Sequence, residues 1–477
     1  MNGQPLDVAV VGCGPVGVTL AGLLARQGLH AVAFDRETAL YPLPRAGHLD
    51  HEVLRVLQEL GAADEAIDQM VANRGMDFRT ADGQTLLSMR AADRTTSGWP
   101  ASVMFHQPTF EATLRRAALA CGAELRLGIG VQSLADRHDH VQLQLDDGSA
   151  VTARYVVGCD GARSITRQHV GAIMADAGFE QRWLVLDLVL RDGVEPPAPL
   201  ALQVCDPVRP TTLVPMPLPR FRFEFMLLPG EADDDVNRID RIGQMLARWM
   251  DPADAQVERS AVYTFHGLVA SPWRRRRVLL AGDAAHQMPP FLGQGMCSGI
   301  RDAANLAWKL PRVIRGVAPD ALLDTYEAER APHVQAITDA AVFFGRMICT
   351  TDVDEAAKRD AGMLAARANG APPPGGDPVP PLVPGPLIGK GGGAMSVQVD
   401  LDGRRADRLS AATAWRAVGA VLPDAETHPE LDALLDAAGD DVAVIRPDRR
   451  LMWVGPILEP PAATVEKLLG HVPRSHV

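Results

Sequence analysis

Three things are scarce in this 477-residue chain: lysine, paired cysteine and uninterrupted apolar sequence. Among 47 basic residues only Lys309, Lys358, Lys390 and Lys467 are lysines. Beside abundant Ala, Gly and Pro this reads as the mark of a GC-rich genome, and no function is drawn from it. Cys13, Cys121, Cys159, Cys205, Cys297 and Cys349 form no C-x-x-C pair and show no zinc-ligand spacing, so neither a disulfide framework nor a metal site is signalled. Dispersed thiols fit a reducing, cytoplasmic compartment. No apolar run reaches the roughly 20 residues of a transmembrane helix. The opening "LDVAVVG" follows no basic n-region, so no signal peptide is read, and a membrane is not expected as a partner. The balance of 47 basic against 59 acidic residues, −12, argues against nucleic acid as well. With 47% apolar and 22% charged residues the chain can bury several cores. At roughly 150 residues per domain its length suggests about three domains.

What is present begins with a strand, a turn, a helix and a strand. Val8 to Val11 is a continuous apolar run, as in a strand buried on both faces. Leu20, Leu23 and Leu24 recur at helical spacing with Gly28 as a stop, and "AVAFD" follows as a second strand. This βαβ unit implies a parallel sheet with a right-handed crossover. Its turn, "VVGCGPVG", fits G-x-G-x-x-G with Gly12, Gly14 and Gly17, and Pro15 and Val16 stand between the last two. The first glycine permits the tight turn, the second lets backbone N–H groups approach a pyrophosphate, and the third lets helix and strand pack closely. The helix N-terminus adds positive potential. Asp35 ends the second strand, about twenty residues on. A carboxylate there accepts hydrogen bonds from a ribose diol and repels a 2′-phosphate, so the expected nucleotide is NAD-like or FAD-like. Arg36 is a weaker cofactor candidate, because an exposed arginine is ordinarily solvated.

Two further motifs lie at strand ends. "VVGCDGARS" carries Asp160 and Gly161, and "VLLAGDAAHQMPPFLGQG" carries Gly282 and Asp283. A carboxylate at 283 can hold a polyol chain. Beyond it Pro290, Gly293, Gln294, Gly295 and Met296 open a long helix with Ile300, Ala304 and Ala307 on one face. A glycine-rich helix start favours negative charge, which suits the pyrimidine edge of a reduced flavin better than nicotinamide. Gln107 to Ala120 reads as a helix with Pro108 in its first turn. Met76 to Trp99 is a polar excursion, and Phe179 to Phe265, with "FRFEFMLL", predicts a separate antiparallel sheet. The stretch 371–394 is a Pro/Gly-rich linker, and "DVAVIRPDRRLMWVG" predicts two strands joined by a Pro-Asp turn. There is no internal repeat and no second full G-x-G-x-x-G, so NAD(P)H is not expected to have a Rossmann domain of its own.

Together, "GCGPVG", "CDGARS" and "GDAAHQMPPFLGQG" resemble the class A flavoprotein aromatic hydroxylases, single-component FAD monooxygenases with the p-hydroxybenzoate hydroxylase fold. "PLPRAGHLDHEVLRVLQELG", "FHQPTFEATLR", "VYTFHGLVASPW" and "GIRDAANLAWKL" are similar to the branch around 3-(3-hydroxyphenyl)propionate hydroxylase, and the likeness covers nearly the whole chain. It implies an α/β fold with a Rossmann-like FAD-binding domain and parallel sheet (1–75, 100–178 and 266–370). A largely antiparallel substrate domain (76–99 and 179–265) is inserted into it. After the linker, 395–477 is expected to be a thioredoxin-like domain, which without a Cys pair cannot do dithiol chemistry; this tail leaves a homodimer open. Pro311, after "WKL", departs from the family and predicts an early kink.

The resemblance puts the adenine-ribose acid at Asp35 and the ribityl-binding aspartate at Asp283, after Gly282. It puts the motif that serves FAD pyrophosphate and NAD(P)H at Asp160 and Gly161. Arg45 matches an arginine reaching toward the flavin and Gln107 a glutamine that contacts FAD. Pro290 and Gly293 to Met296 match the loop beside the ring. The implied chemistry is reduction of FAD by NAD(P)H, reaction with O2 to a flavin C4a-hydroperoxide, and attack of its distal oxygen on a phenolic or otherwise activated aromatic substrate. The alternatives are epoxidation or oxygen insertion on a non-phenolic substrate, or a flavin-fold module that only binds. A base that ionises a phenol would help, and His48, Tyr263 and His266 are the candidates. His286 reads as a brace beneath the flavin loop, and Arg274 to Arg277 as a solvated turn. Asp187 and Arg222 lie on strands whose faces are not assigned.

Overall fold

The computed structural model describes residues 5–370 without a break. Beyond them it describes 379–385, 387, 388, 393–395, 400, 401, 404, 405, 416–419, 442–446 and 448–455. The opening apolar run is β1 (Leu6–Val11), followed by α1 (Pro15–Arg26) with Gly14 as N-cap, and by β2 (Ala31–Asp35), parallel to β1. Next come β3 (His48–Asp50) and α2 (His51–Leu60), whose N-cap Asp50 accepts from the amides of Glu52 and Val53. α3 (Ala63–Ile67), β4 (Val71–Ala72), β5 (Gly75–Arg79), β6 (Thr85–Arg90) and β7 (Ser102–Met104) lead to α4 (Gln107–Ala120), which has the bounds its sequence predicts. β8 (Glu124–Leu127), β9 (Val131–Asp136), β10 (Val141–Leu145), β11 (Ala150–Gly158) and α5 (Ile165–Val170) follow. The chain continues through β12 (Ile173–Leu190), β13 (Ala201–Val204), β14 (Thr211–Pro215), β15 (Arg220–Met226), α6 (Asp233–Val236), α7 (Ile239–Leu246) and β16 (Ala255–Ser271). Then come β17 (Arg274–Arg275), β18 (Val278–Leu280), β19 (His286–Gln287), α8 (Gly295–Ile314), α9 (Asp324–Ile348) and α10 (Val353–Ala368).

These strands make two large sheets. The first has the order β17-β18-β11-β1-β2-β8, with β9 and β10 attached beside β11. Its strands from β18 to β8 are parallel. The second has the order β19-β16-β12-β15-β14-β13-β5-β6 and is antiparallel except between β13 and β5. Short β8, half-buried throughout, carries no clean alternation and was not legible as a strand. The changes of sheet expected at 179 and 266 fall inside β12 and β16. These long strands pair from Ile173–Ser271 to Leu190–Ala255, with a break in register between Asp176 and Glu180 where Gly178 turns the chain at φ +65°.

The helices pack according to their apolar stripes. β1, β2, β11 and β18 bury Val8, Val10, Phe34, Val156 and Leu279 against Leu20 and Leu24 of α1 and Ile300 and Leu306 of α8. In the second sheet, Leu184, Leu186, Leu188, Phe221, Phe223 and Phe225 form a core with Ile242 and Leu246 of α7. α8 runs past Pro311 to Ile314. Pro311 sits in its last turn, where only one backbone bond is lost. The run 274–277 is not a wholly solvated turn. Arg274 is packed and paired with Asp320 and Asp324, and Arg277 lies over the ring of Tyr155 at 5.1 Å. These partners are remote in sequence, so composition alone could not show them.

In the tail, β20 (Asp400–Leu401) pairs with β21 (Arg404–Arg405). β22 (Arg416–Gly419), β23 (Val442–Ile445) and β24 (Leu451–Gly455) form an antiparallel sheet, β23 and β24 being the strand pair read from the sequence. Most of 371–394 and of the expected thioredoxin-like domain lies outside the described residues. Among the described residues no helix is long and apolar enough to cross a membrane, and no cluster of His, Cys, Asp and Glu is placed to hold a metal ion.

Buried charge joins the tail to the body. Glu329 on α9 accepts from Asn305 Nδ2 (2.8 Å) and Lys309 Nζ (3.1 Å) on α8 and from Arg446 Nη2 (2.8 Å). Burial alone would raise its carboxyl, but Arg446 and Lys309 hold it down at about 2, against an ordinary 4.5. The unfolded chain therefore takes up the proton first as pH falls. Stability from this group is fully present above about pH 4.5 and is lost toward pH 2. In urea titrations across that range, the stability difference between the protein and its Glu329→Gln variant should shrink steadily; a constant difference would contradict the assignment.

Candidate active site

One cavity of about 1490 Å³ lies between the two sheets, larger than the roughly 300–1,000 Å³ of an ordinary small-ligand cleft. Its first end is the glycine turn. Gly12 has φ +107°, and a Cβ there would lie 2.4 Å from the carbonyl oxygen of Cys159; a Cβ on Gly17 would lie 2.0 Å from that of Gly12. The turn can thus close only with glycine, bringing β1, β11 and α1 together. Gly14, in contrast, faces open space, and no side chain caps the first amides of α1. Asp35 Oδ2 accepts from the Cys13 amide (2.7 Å) and Oδ1 from that of Glu37 (3.0 Å), which locks β2 to the turn. Arg36 is largely exposed beside Glu37.

The middle of the cavity is the segment after β18. Gly282–Ala284 is a 3₁₀ turn. Asp283 opens onto the cavity yet is surrounded by protein, and burial raises its carboxyl against the opposing pull of His286 and Arg45. Farther on, Phe291 is caged edge-on by Trp183 (5.6 Å), Phe179 (5.9 Å) and Phe265 (6.2 Å), which anchors the loop to β12 and β16. Gly293 has φ +64°, and a Cβ there would lie 2.8 Å from His48 Nδ1. The histidine fills that space. Its Nδ1 meets the Gly293 carbonyl at 3.1 Å and its Nε2 the Ser102 hydroxyl at 2.8 Å. Burial lowers its pKa. With both ring nitrogens engaged, His48 braces the loop and has no nitrogen left for a proton in transit.

Beneath this loop α8 presents charges to the interior. Asp302 accepts from the Gly282 amide (3.1 Å), from His286 Nε2 (2.7 Å) and from Arg330 Nε (2.8 Å). Burial would raise its carboxyl, but the charges of His286 and Arg330 and their hydrogen bonds bring it below the usual range. Arg301 pairs with Asp50 and Glu52 and donates to Gln294 Oε1 at 3.0 Å. Arg450 of the tail donates to the same Glu52 at 2.6 Å. The chain of contacts from tail to loop is therefore Arg450, Glu52, Arg301, Gln294.

The other expected residues are distributed around these parts. Gln107 Oε1 accepts from the amides of Arg45 (2.9 Å) and Ala46 (2.6 Å), and its Nε2 donates to Glu111 (2.6 Å), so it holds the Arg45 backbone. The Arg45 guanidinium lies over Tyr41 at 4.7 Å. Asp160 accepts from Ser164 and Thr166 at the start of α5, and Gly161 beside it has φ +75°. Tyr263, with Arg259 5.0 Å from its ring, and His266, 3.8 Å from Glu180, stand on the far wall. Pro15, Val16, Pro290, Gly295 and Met296 complete the set. Every site residue read from the sequence lines this cavity except Gly17, which is buried behind Gly12.

Residues 5–341 match the FAD binding domain family. The chain belongs to this family. It is 45% identical over 371 residues to a probable NADH-specific resorcinol 4-hydroxylase of Rhodococcus jostii (strain RHA1), covering 76% of this chain and 69% of that one. It is 38% identical over 366 residues to a 3-(3-hydroxy-phenyl)propionate/3-hydroxycinnamic acid hydroxylase of Mycolicibacterium gilvum (strain PYR-GCK), covering 76% of this chain but 64% of the relative. The match thus leaves over a third of that relative's length unaccounted for. In fold it is similar to aklavinone-11 hydroxylase, solved with FAD and aklavinone: TM-score 0.81, 21% identity, 98% of this chain and 100% of that one.

Sequence reasoning about this FAD-binding protein missed Asp50, Glu52, Arg301, Asp302 and Arg330. The available signal was four polar residues, Arg301, Asp302, Asn305 and Lys309, within the apolar pattern of α8. Asp302→Asn should leave Arg330 without its counter-charge. The expected loss is about 3–5 kcal/mol of stability in urea unfolding, with weaker FAD retention on dialysis. Unchanged stability would show that the residue is not the anchor of the Gly282 turn.

Proposed function

We propose that this FAD-binding protein is a monooxygenase that uses NAD(P)H and O2 to hydroxylate a phenolic or similarly activated aromatic substrate. The observation that carries the reading is a single cavity with a dinucleotide-type turn at one end and a polar sheet wall at the other. The parts fit FAD. Gly14 leaves room at the uncapped helix start, where the backbone amides of α1 would hold the pyrophosphate. Asp35 would hold the adenosine ribose and Asp283 the ribityl chain. Arg45, Pro290 and Gly293 to Met296 would flank the ring, with Gly161 and Asp160 at the pyrophosphate wall. When bound, FAD supplies hydride acceptance from NAD(P)H and activation of O2 for transfer to the substrate ring.

The protein's own part is positioning, dryness and charge. The amides at the start of α8 favour negative charge next to the loop. The Phe291 cage and His48 hold that loop and keep water from it. Of the two candidate histidines, His266 is the one with a ring nitrogen to spare. Its Nδ1 faces Glu180, leaving Nε2 without a partner among the described residues to take a proton from a phenol. One third of its side chain is exposed, which gives the proton a route to solvent. The Rhodococcus relative supports NADH as the reductant. Six free thiols fit a reducing, cytoplasmic setting.

The test is to load the purified protein with FAD and supply NADH or NADPH with a panel of phenols. Phenol-stimulated NADH oxidation with a hydroxylated product by mass spectrometry is expected. Peroxide release with every phenol and no hydroxylated product would overturn the reading, as would failure to take up FAD. His266→Asn should lower kcat roughly 100-fold near neutral pH. The deficit should narrow as the pH approaches the phenol's own pKa, where solvent ionises the substrate; a pH-independent deficit would assign His266 a structural role.

A further inference from the structure

The polar wall of the cavity is built by strand alternation. On β15, Phe221, Phe223 and Phe225 enter the core with α7, while Arg222 and Glu224 point to the other face and line the cavity. Thr212 of β14 pairs with Glu224 on one side and with Gln203 of β13 on the other. Gln203, Thr212 and Glu224 therefore lie side by side on one face, and all three line the cavity while only 2%, 3% and 8% exposed. Thr212 Oγ1 donates to Gln203 Oε1 at 2.6 Å, which turns the amide so that its Nε2 remains as a donor.

Glu224 is different: no hydrogen bond reaches its carboxyl among the described residues. Its nearest cation is Arg222, with Nη1 at 3.9 Å. That guanidinium is already engaged. Its Nε and Nη2 donate to Asp187 (2.7 and 3.2 Å), and its Nη1 donates to the carbonyl of Arg45 (2.7 Å). The last contact ties the row to the segment that carries Arg45 and His48, and so to the loop near Gly293. Its carboxyl faces the cavity, so a ligand that donates to Glu224 supplies a hydrogen bond that the described residues do not. Burial raises the carboxyl of Glu224 and Asp187 raises it further, against Arg222 and Arg259.

We propose that Gln203, Thr212 and Glu224 form a subsite for a neutral ring hydroxyl, so that this site takes a dihydric phenol in preference to a phenol bearing a carboxylate side chain. The inference rests on the hydroxylase reading above. A hydroxyl both donates and accepts, and between Glu224 and Gln203 Nε2 it does both. A carboxylate only accepts: it would satisfy Gln203 but meet the lone pairs of Glu224.

The probes are resorcinol and 3-(3-hydroxyphenyl)propionate, titrated into the FAD-loaded protein while its flavin absorbance is followed, with KM from NADH oxidation as a second readout. Resorcinol should bind about tenfold tighter or better. Glu224→Leu should weaken resorcinol by about tenfold or more without weakening the propionate. Glu224→Gln, which keeps a hydrogen-bonding group and removes the charge, should hold resorcinol within about threefold and tighten the propionate about tenfold. Gln203→Leu should weaken resorcinol by about tenfold, and flavin content verifies that each variant is folded. If the propionate binds as tightly as resorcinol and Glu224→Gln moves neither, the subsite is overturned while the hydroxylase reading stands. If neither phenol perturbs the flavin or stimulates NADH oxidation in the parent protein, the hydroxylase reading fails and the subsite with it.

Discussion

A carboxylate with no access to water has to be answered by the protein from several sides at once, and Asp302 imposes that demand at the centre of this fold. Its two oxygens take up the Gly282 amide, His286 and Arg330. One residue earlier, Arg301 answers Asp50 and Glu52, and farther along α8 Asn305 and Lys309 answer Glu329. One helix thereby holds the turn after β18, the start of α2, α9 and, through Glu52 and Glu329, the arginines of the tail. Such charges lose several kcal/mol each on burial and regain it only with good geometry. What they add beyond packing is direction: apolar contacts tolerate sliding, while these contacts admit one arrangement.

The second sheet solves a different problem. β12 and β16 are long enough to pack in both cores, Met174 and Val269 in the first and Leu184 and Val262 in the second, so the wall of the cavity is continuous with its floor. Period-two alternation then separates the two faces of β15, phenylalanines toward α7 and Arg222 and Glu224 toward the cavity. The polar wall and the apolar core are the same strands seen from opposite sides. Phe291 links the two halves, because the loop that bears it inserts between Trp183, Phe179 and Phe265.

Several side chains near the chemistry hold other groups in place. His48 occupies the space left by Gly293, Gln107 holds the Arg45 backbone, and Asp160 holds Ser164 and Thr166 at the start of α5. Each was legible as a site residue because its motif is local, but the work it does was not. A histidine read as a base proves to have both nitrogens engaged, one by a residue 245 positions away. Equally, Gln203, Thr212 and Glu224 belong to no motif. They meet because β13, β14 and β15 pair in one register, and a shift of one residue would turn all three toward the other core.

The sequence by itself determined the parts governed by short-range sterics and periodicity: the βαβ unit, the glycine turn, the acid at the end of β2, the span of α4 and the strand pair of the tail. Those follow from backbone geometry over a few residues, where the chain has little choice. Tertiary structure alone decided which charges meet. Arg301 reaches Asp50 across 251 positions and Arg450 reaches Glu52 across 398. It also decided which strand face closes the cavity, because an ion pair or a register exists only once distant segments have been brought within a few ångströms of each other.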